Sequence, residues 1–225
     1  MRVLVVAATE AEVSPFVSAL SRTTDTEARV TRYRAADHEI DVLIAGVGMV
    51  ATAAWCSRVM SSARFDLALN LGVCGSFRTS LGPGSVVHVV SDRLVEMGAE
   101  DGGAFLTIQE MKLLGADEFP FTNGSLVNRS APTLPGLAEL PAVCGITVNT
   151  VHGDDASIAR VVEQFNPDVE TMEGAAFMYS CLIHRVPFAQ IRAVSNIVER
   201  RNRAAWKLDE AIASLNAAAR RMLES

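Results

Sequence analysis

The chain has 225 residues, 49% hydrophobic and 20% charged, with a formal net charge of −6 and no long basic block. That is ordinary globular composition in a length suited to one domain over 1–225, and it argues against nucleic acid as the main partner. No stretch reaches the roughly 18 uninterrupted apolar residues of a membrane span. The four cysteines (Cys56, Cys74, Cys144, Cys181) lack metal-site spacing and read as reduced thiols in a cytoplasmic protein.

The first apolar run, Val3–Ala8, is too brief for a signal peptide and reads as a strand buried on both faces. Thr9-Glu10-Ala11-Glu12 then opens a helix, with Thr9 as N-cap and Glu12 at the capping-box position. A more exposed strand follows at Arg29–Ala35, and a buried one at Ile40–Ala45. The latter turns at Gly46-Val47-Gly48 into an Ala-rich helix over 49–61. Asp66–Leu71 repeats the pattern and turns at Gly72-Val73-Cys74-Gly75, before another strand at Gly84–Val90. Between about 98 and 140 periodicity fades, leaving an irregular excursion with one short helix near Ile108–Leu114. Strand and helix alternate again at Ala142–Val151, Ala156–Phe165, Met172–His184 and Phe188–Val194. In the last helix Ala205, Leu208, Ile212, Leu215, Ala219 and Met222 form one apolar stripe. The expected fold is a single α/β domain of three αβα layers around a central, mainly parallel, mixed sheet.

Chemistry is expected at two stretches. Val169–Phe177 reads as a helix start in which Glu170 and Glu173, three apart, share a face. Acidic residues there also suit the helix dipole, so capping is the competing reading. Pro187–Asn196 reads as a buried strand ending in Ser195-Asn196, where open α/β sheets place ligands. Gly46-Val47-Gly48-Met49-Val50-Ala51 matches G-x-G-x-x-A, but the following strand ends in Asn70-Leu71 with no acid for a ribose, which argues against a dinucleotide. His38, His88, His152 and His184 share no spacing, and His88 reads as a satisfied core residue. No serine-nucleophile signature is present, so chemistry rests on carboxylates and amides, with no metal and no cofactor.

Five stretches carry a resemblance. Ala7–Val13, Ala45–Gly48, Asn70–Gly75, Glu170–Ala176 and Arg192–Asn196 occur in the order seen in the nucleoside phosphorylase/nucleosidase family. Within it the chain resembles the methylthioadenosine/S-adenosylhomocysteine nucleosidases and, more closely, the futalosine hydrolases of menaquinone biosynthesis. The resemblance implies a small-molecule nucleoside substrate, a homo-oligomer, and catalytic roles for Glu12, Glu173 and Asn196. Glu12 stands where the nucleosidases carry the base that activates water, and Glu173 where they bind the ribose hydroxyls. Substrate contacts are implied for Val47, Gly72, Phe105, Thr171 and Met172, with Phe105 matching an aromatic lent across a dimer. Thr171 departs from the pattern, since related nucleosidases carry glutamate there.

Two further expectations combine resemblance with chemistry. Phosphorylases of the family hold phosphate with an arginine and a serine, where this chain has Asn70 and Val73, so hydrolysis is expected. Adenine-specific nucleosidases carry aspartate at the position of Asn196. An amide donates and accepts, which suits the O6 and N1–H of a 6-oxopurine better than a carboxylate does. Futalosine, cleaved to hypoxanthine and dehypoxanthinylfutalosine, is the expected substrate. Methylthioadenosine-type nucleosidase and purine nucleoside phosphorylase activities are the alternatives.

Overall fold

A computed structural model of the chain describes residues 1–223 other than 28 and 36. β1 (Arg2–Ala7) leads into α1 (Glu10–Val17), then β2 (Ser21–Glu27), β3 (Val30–Ala35) and β4 (His38–Ile44). α2 (Met49–Ser62) precedes β5 (Leu67–Ser76), β6 (Val86–Leu94) and a hairpin of β7 (Gly98–Asp101) and β8 (Ala104–Thr107). The chain continues through β9 (Leu126–Val127), β10 (Ala142–Thr147), α3 (Asp155–Phe165) and β11 (Val169–Thr171). It ends with α4 (Gly174–His184), β12 (Phe188–Ile197) and α5 (Leu208–Leu223).

The main sheet runs β11-β10-β6-β12-β5-β1-β4-β3-β2, with β9 added to β6. Its centre, β12-β5-β1-β4, is parallel, while β6 lies antiparallel to β12. β5 also pairs with β11, through Ser76 with Val169 and Gly75 with Glu170, so β5, β12, β6, β10 and β11 close into a ring. Period-two alternation divides the buried side chains between two cores. Val3, Val5 and Ala7 of β1 face one core with Leu69, Ile191 and Leu215. Leu4 and Val6 face the other, with Cys56, Phe177 and Met178. Helices α1 and α5 thus cover one face, and α2 and α4 the other. No helix among the described residues is long and apolar enough to cross a membrane.

The structure departs from the sequence reading in several places. Gly72–Gly75 makes no turn, because β5 continues to Ser76. Ile108–Leu114 forms only a turn: Thr107 and Glu110 cap it, Met111 N donates to Thr107 O, and Lys112 at φ 59° ends it. Val169–Thr171 is a strand and not a helix start, which moves Glu173 to the N-cap of α4. In α5 the buried face is Ala211, Leu215, Ala219 and Met222, while Ala205 lies before the helix and Leu208 is 43% exposed. The helix begins later than its stripe, so the first two stripe positions never reach the core.

Candidate active site

Glu12 stands in the first turn of α1, just past the C-terminal end of β1. Its Oε2 accepts from Thr9 N at 2.9 Å and Thr9 Oγ1 at 3.1 Å, while Oε1 accepts from Val73 N at 3.2 Å. Capping therefore occupies one oxygen, and the other reaches the glycine-rich end of β5. Asn216 of α5 steadies this turn by donating to Glu12 O at 2.8 Å and accepting from Phe16 N at 2.8 Å.

Gly72 is explained by what lies over it. A Cβ there would stand 2.1 Å from Arg192 Nη1 and 3.0 Å from Glu12 Oε1. Arg192, paired with Gly72 across β12 and β5, is 1% exposed, so the missing side chain makes room for a buried guanidinium. That cation donates to Asn70 Oδ1, and its Nη1 lies 4.0 Å from Glu173 Oε2. Asn70 in turn donates to Val6 O at 3.0 Å. Buried charge persists only when paired in this way. The arginine is a site residue that the sequence reading passed over. The available signal was an Arg, two residues after Gln190, inside a largely apolar strand.

Glu173 reaches outward from the α4 N-cap, and its Oε1 accepts from Gly48 N at 2.9 Å. Burial raises its carboxyl above the usual range; the Arg192 charge and the Gly48 N–H oppose that rise, and the nearby Glu12 adds to it. Glu12, Gly72, Glu173 and the Gly46–Gly48 turn thus meet around Arg192. Val47, 58% exposed, stands on the rim beside Gly48, and Met172 is half-buried before Glu173. Thr171 lies deeper, 3% exposed, with its hydroxyl accepting from Gly174 N at 3.0 Å.

The two glutamates of the Val169–Phe177 stretch do not share a face. Glu170, on β11, accepts from His152 N at 3.1 Å and lies 2.6 Å from His152 Nδ1. Only long-range folding joins these two, so the histidines' sequence spacing held no hint of it. His152 packs edge-on to Phe77, with ring centroids 6.2 Å apart. Asn196 belongs to this second group: a Cβ at Gly75 would lie 3.4 Å from Asn196 Nδ2 and 3.5 Å from Glu170 Cγ. Asn196 accepts from Ser195 Oγ at 2.8 Å and donates to Ile197 O at 3.0 Å, leaving one N–H and one lone pair for a ligand. A bulge in β12 between Val194 and Asn196 re-aims the amide. Arg192 and Asn196 pair with Gly72 and Gly75 of β5, so they mark sites roughly 10 Å apart along the strand.

Phe105 does not join the Glu12–Arg192–Glu173 cluster. It lines a cleft of about 900 Å³ with Val95, His152, Arg160 and Phe165, and so approaches the site only from the His152 side. His88 is buried, and that burial lowers its pKa. Contrary to the satisfied histidine expected from sequence, its Nε2 has no hydrogen-bond partner among the described residues.

The whole chain matches a known family: residues 2–224 fit the model of the phosphorylase superfamily. The chain belongs to that superfamily. A futalosine hydrolase of Streptomyces coelicolor is 30% identical over 184 residues, covering 78% of this chain and 74% of the relative. A 5′-methylthioadenosine/S-adenosylhomocysteine nucleosidase of Chromohalobacter salexigens is 28% identical over 163 residues, covering 71% and 67%. Among solved structures, native futalosine hydrolase of Helicobacter pylori superposes with a TM-score of 0.82 at 15% identity, covering 99% of this chain and 97% of that one. The S-adenosylhomocysteine nucleosidase of Streptococcus pyogenes, in complex with 5-methylthiotubericidin, gives 0.80 at 18% identity, covering 100% and 96%. These neighbours share the αβα fold and its central mixed sheet.

Proposed function

We propose that this chain is an N-glycosyl hydrolase that cleaves a 6-oxopurine nucleoside enlarged at C5′, with futalosine as substrate and hypoxanthine as the released base. The observation that carries the reading is the convergence of Glu12 and Glu173 from separate helices around Arg192 and Gly72. The futalosine hydrolase relative at 30% identity supports the choice of substrate.

In this mechanism Glu12 orients a water and accepts its proton as the oxygen attacks C1′. The C1′–N9 bond breaks with its electrons passing to the purine, which takes a proton from solvent. Glu173 accepts from the ribose hydroxyls and stabilises the positive charge developing on the sugar. Met172 packs against the sugar, Val47 and Phe105 meet the 5′ group, and Asn196 reads O6 and N1–H of the base. Arg192 sets a buried positive charge beside Glu173, and its guanidinium lies over Gly72 where Glu12 also reaches. Phe105 reaches this site from a second copy in a homo-oligomer. The exposed Val50, Tyr179 and Ile183 of α2 and α4 supply an apolar face for such assembly. The product would serve menaquinone biosynthesis in the cytoplasm.

Arg192 also favours a second reading, since a buried cation at Gly72 is what a phosphorylase needs. Two observations weigh against it. Asn70, buried, is committed to Arg192 and Val6, and the Val73 N–H is already taken by Glu12. Phosphate would have to displace a carboxylate and then lie beside it. The test is chromatography of the base released from futalosine, inosine and methylthioadenosine, with and without phosphate. Hypoxanthine from futalosine at a phosphate-independent rate is expected. A phosphate requirement would make the chain a phosphorylase, and equal cleavage of methylthioadenosine would remove Asn196 as the discriminator.

A further inference from the structure

The N-cap of α4 is a glutamate whose side chain does not cap its helix. An N-cap side chain ordinarily accepts from the backbone N–H two or three residues further on, satisfying amides that have no intrahelical partner. Glu173 instead turns away to Gly48. The first amides of α4 find other acceptors. Gly174 N donates to Thr171 Oγ1 at 3.0 Å, and Ala175 N donates to Thr147 Oγ1 at 2.7 Å. Both hydroxyls arrive from strands that lie under the helix, β11 and β10.

Proton counting orders the rest. Thr147 Oγ1 donates to Asp92 Oδ1 at 2.9 Å, which uses its one proton. At the 3.3 Å contact between the two threonines, Thr171 is therefore the donor and Thr147 the acceptor. Asp92 is 0% exposed, and its Oδ1 also accepts from Arg93 N at 2.8 Å. Its Oδ2 accepts from Gln190 Nε2 at 2.9 Å. The helix start packs directly onto this group: a Cβ at Gly174 would stand 2.3 Å from Asp92 Oδ2 and 2.4 Å from Gln190 Oε1. Only glycine permits that approach, and the approach is what brings the two amides to the hydroxyls.

Without those acceptors, the first amides of α4 would call on the side chain of the N-cap residue itself, the carboxylate of Glu173. We infer that Thr147 and Thr171, anchored by Asp92, are positioning residues that cap α4 in place of Glu173 and so leave its carboxylate free to bind the ribose hydroxyls. The same arrangement gives Thr171 its function, as a cap and not as a sugar contact. The inference rests on the ribose role proposed for Glu173.

The experiment compares steady-state kinetics for futalosine, or for whichever nucleoside the chain cleaves fastest, with its 2′-deoxy and 3′-deoxy counterparts. Thr147→Val is expected to lower kcat on the ribonucleoside about 10²-fold, the scale of a small misplacement of a catalytic group. It should also flatten the preference for ribose over deoxyribose, and Thr147→Ser should restore both. Thr171→Ala reads the same ratio at the second hydroxyl should Thr147→Val fail to fold. A lowered melting temperature with an unchanged ribose preference would make the network merely structural and overturn the inference. Glu173→Gln separates the two levels: if it leaves the preference intact, the ribose reading itself fails, whatever the threonines do.

Discussion

The cluster at the centre of the sheet and the excursion between β6 and β10 hold their side chains in opposite ways. Glu12, Asp92, Glu173 and Arg192 are between 0% and 7% exposed, and each is fixed by groups from other strands or helices. In the excursion, Leu113 and Phe119 are 70% and 69% exposed, and the hairpin carrying Phe105 forms a separate two-stranded sheet. The centre leaves a catalytic group little freedom, because moving one orphans several buried partners. Apart from Phe121, Leu126, Leu134 and Leu137, which pack into the cores, the excursion can change exposed side chains at little cost to the core. On the function proposed above, bond cleavage would belong to the first region and choice of 5′ group to the second.

The largest effect is expected where the centre is broken at its only fully buried cation among the described residues. Arg192→Leu leaves Asn70 and Glu173 without their partner and should cost about 3–5 kcal/mol of stability, read from urea unfolding. Loss of activity with unchanged stability would show that the guanidinium does not hold the cluster together.

Asp92 offers a pH test of the same region. Burial raises its carboxyl from 3.8 to about 7, despite Thr147, Arg192 and Arg93 N–H, so the folded chain binds the proton more tightly than the unfolded one. The stability this contributes is fully present below the unfolded value and is lost as pH rises towards the folded value, up to about 4 kcal/mol. Asp92→Asn should flatten that fall in stability between pH 4 and 7. Some slope of the same sign will remain, because burial also raises Glu173. An identical pH profile in the variant would mean that Asp92 is not the group responsible.

Glu12→Gln tests chemistry without disturbing the core, and should lower kcat by about 10²-fold or more while leaving unfolding nearly unchanged. Near-normal turnover would reduce Glu12 to its capping role with Thr9. The smallest effect is expected in the excursion. Phe105→Ala should raise KM for a 5′-enlarged nucleoside a few-fold (about 1 kcal/mol of lost contact) with kcat and stability little changed. A large fall in kcat there would erase the division between the two regions.

How much of this was readable from sequence follows the range of the interactions. Thr9 and Glu12 were legible because a capping box joins residues three apart. The apolar runs of β1, β4 and β12 announced a sheet buried on both faces. Gly72 misled because glycine signals either an unusual φ or a close approach, and local sequence cannot separate them. Here it is close approach, by an arginine from β12. Glu170 and Glu173 misled for a related reason: a three-residue strand lay inside what local periodicity rendered as one helix. Asp92 and Thr147 carried no signal, since a polar residue in a strand has meaning only through its neighbour.

By itself the sequence determined the alternation of strand and helix, the αβα class, and a set of carboxylate and amide residues with the order of a known superfamily. Those properties rest on periodicity and on contacts within one turn, which the chain encodes locally. Tertiary structure alone decided which carboxylates meet. It placed Arg192 between Glu12 and Glu173, sent Glu170 to His152, and gave the α4 amides to Thr147 and Thr171. The physical reason is that a buried charge or amide takes whatever partner the packing of the sheet presents, and strand order, not sequence distance, chooses that partner.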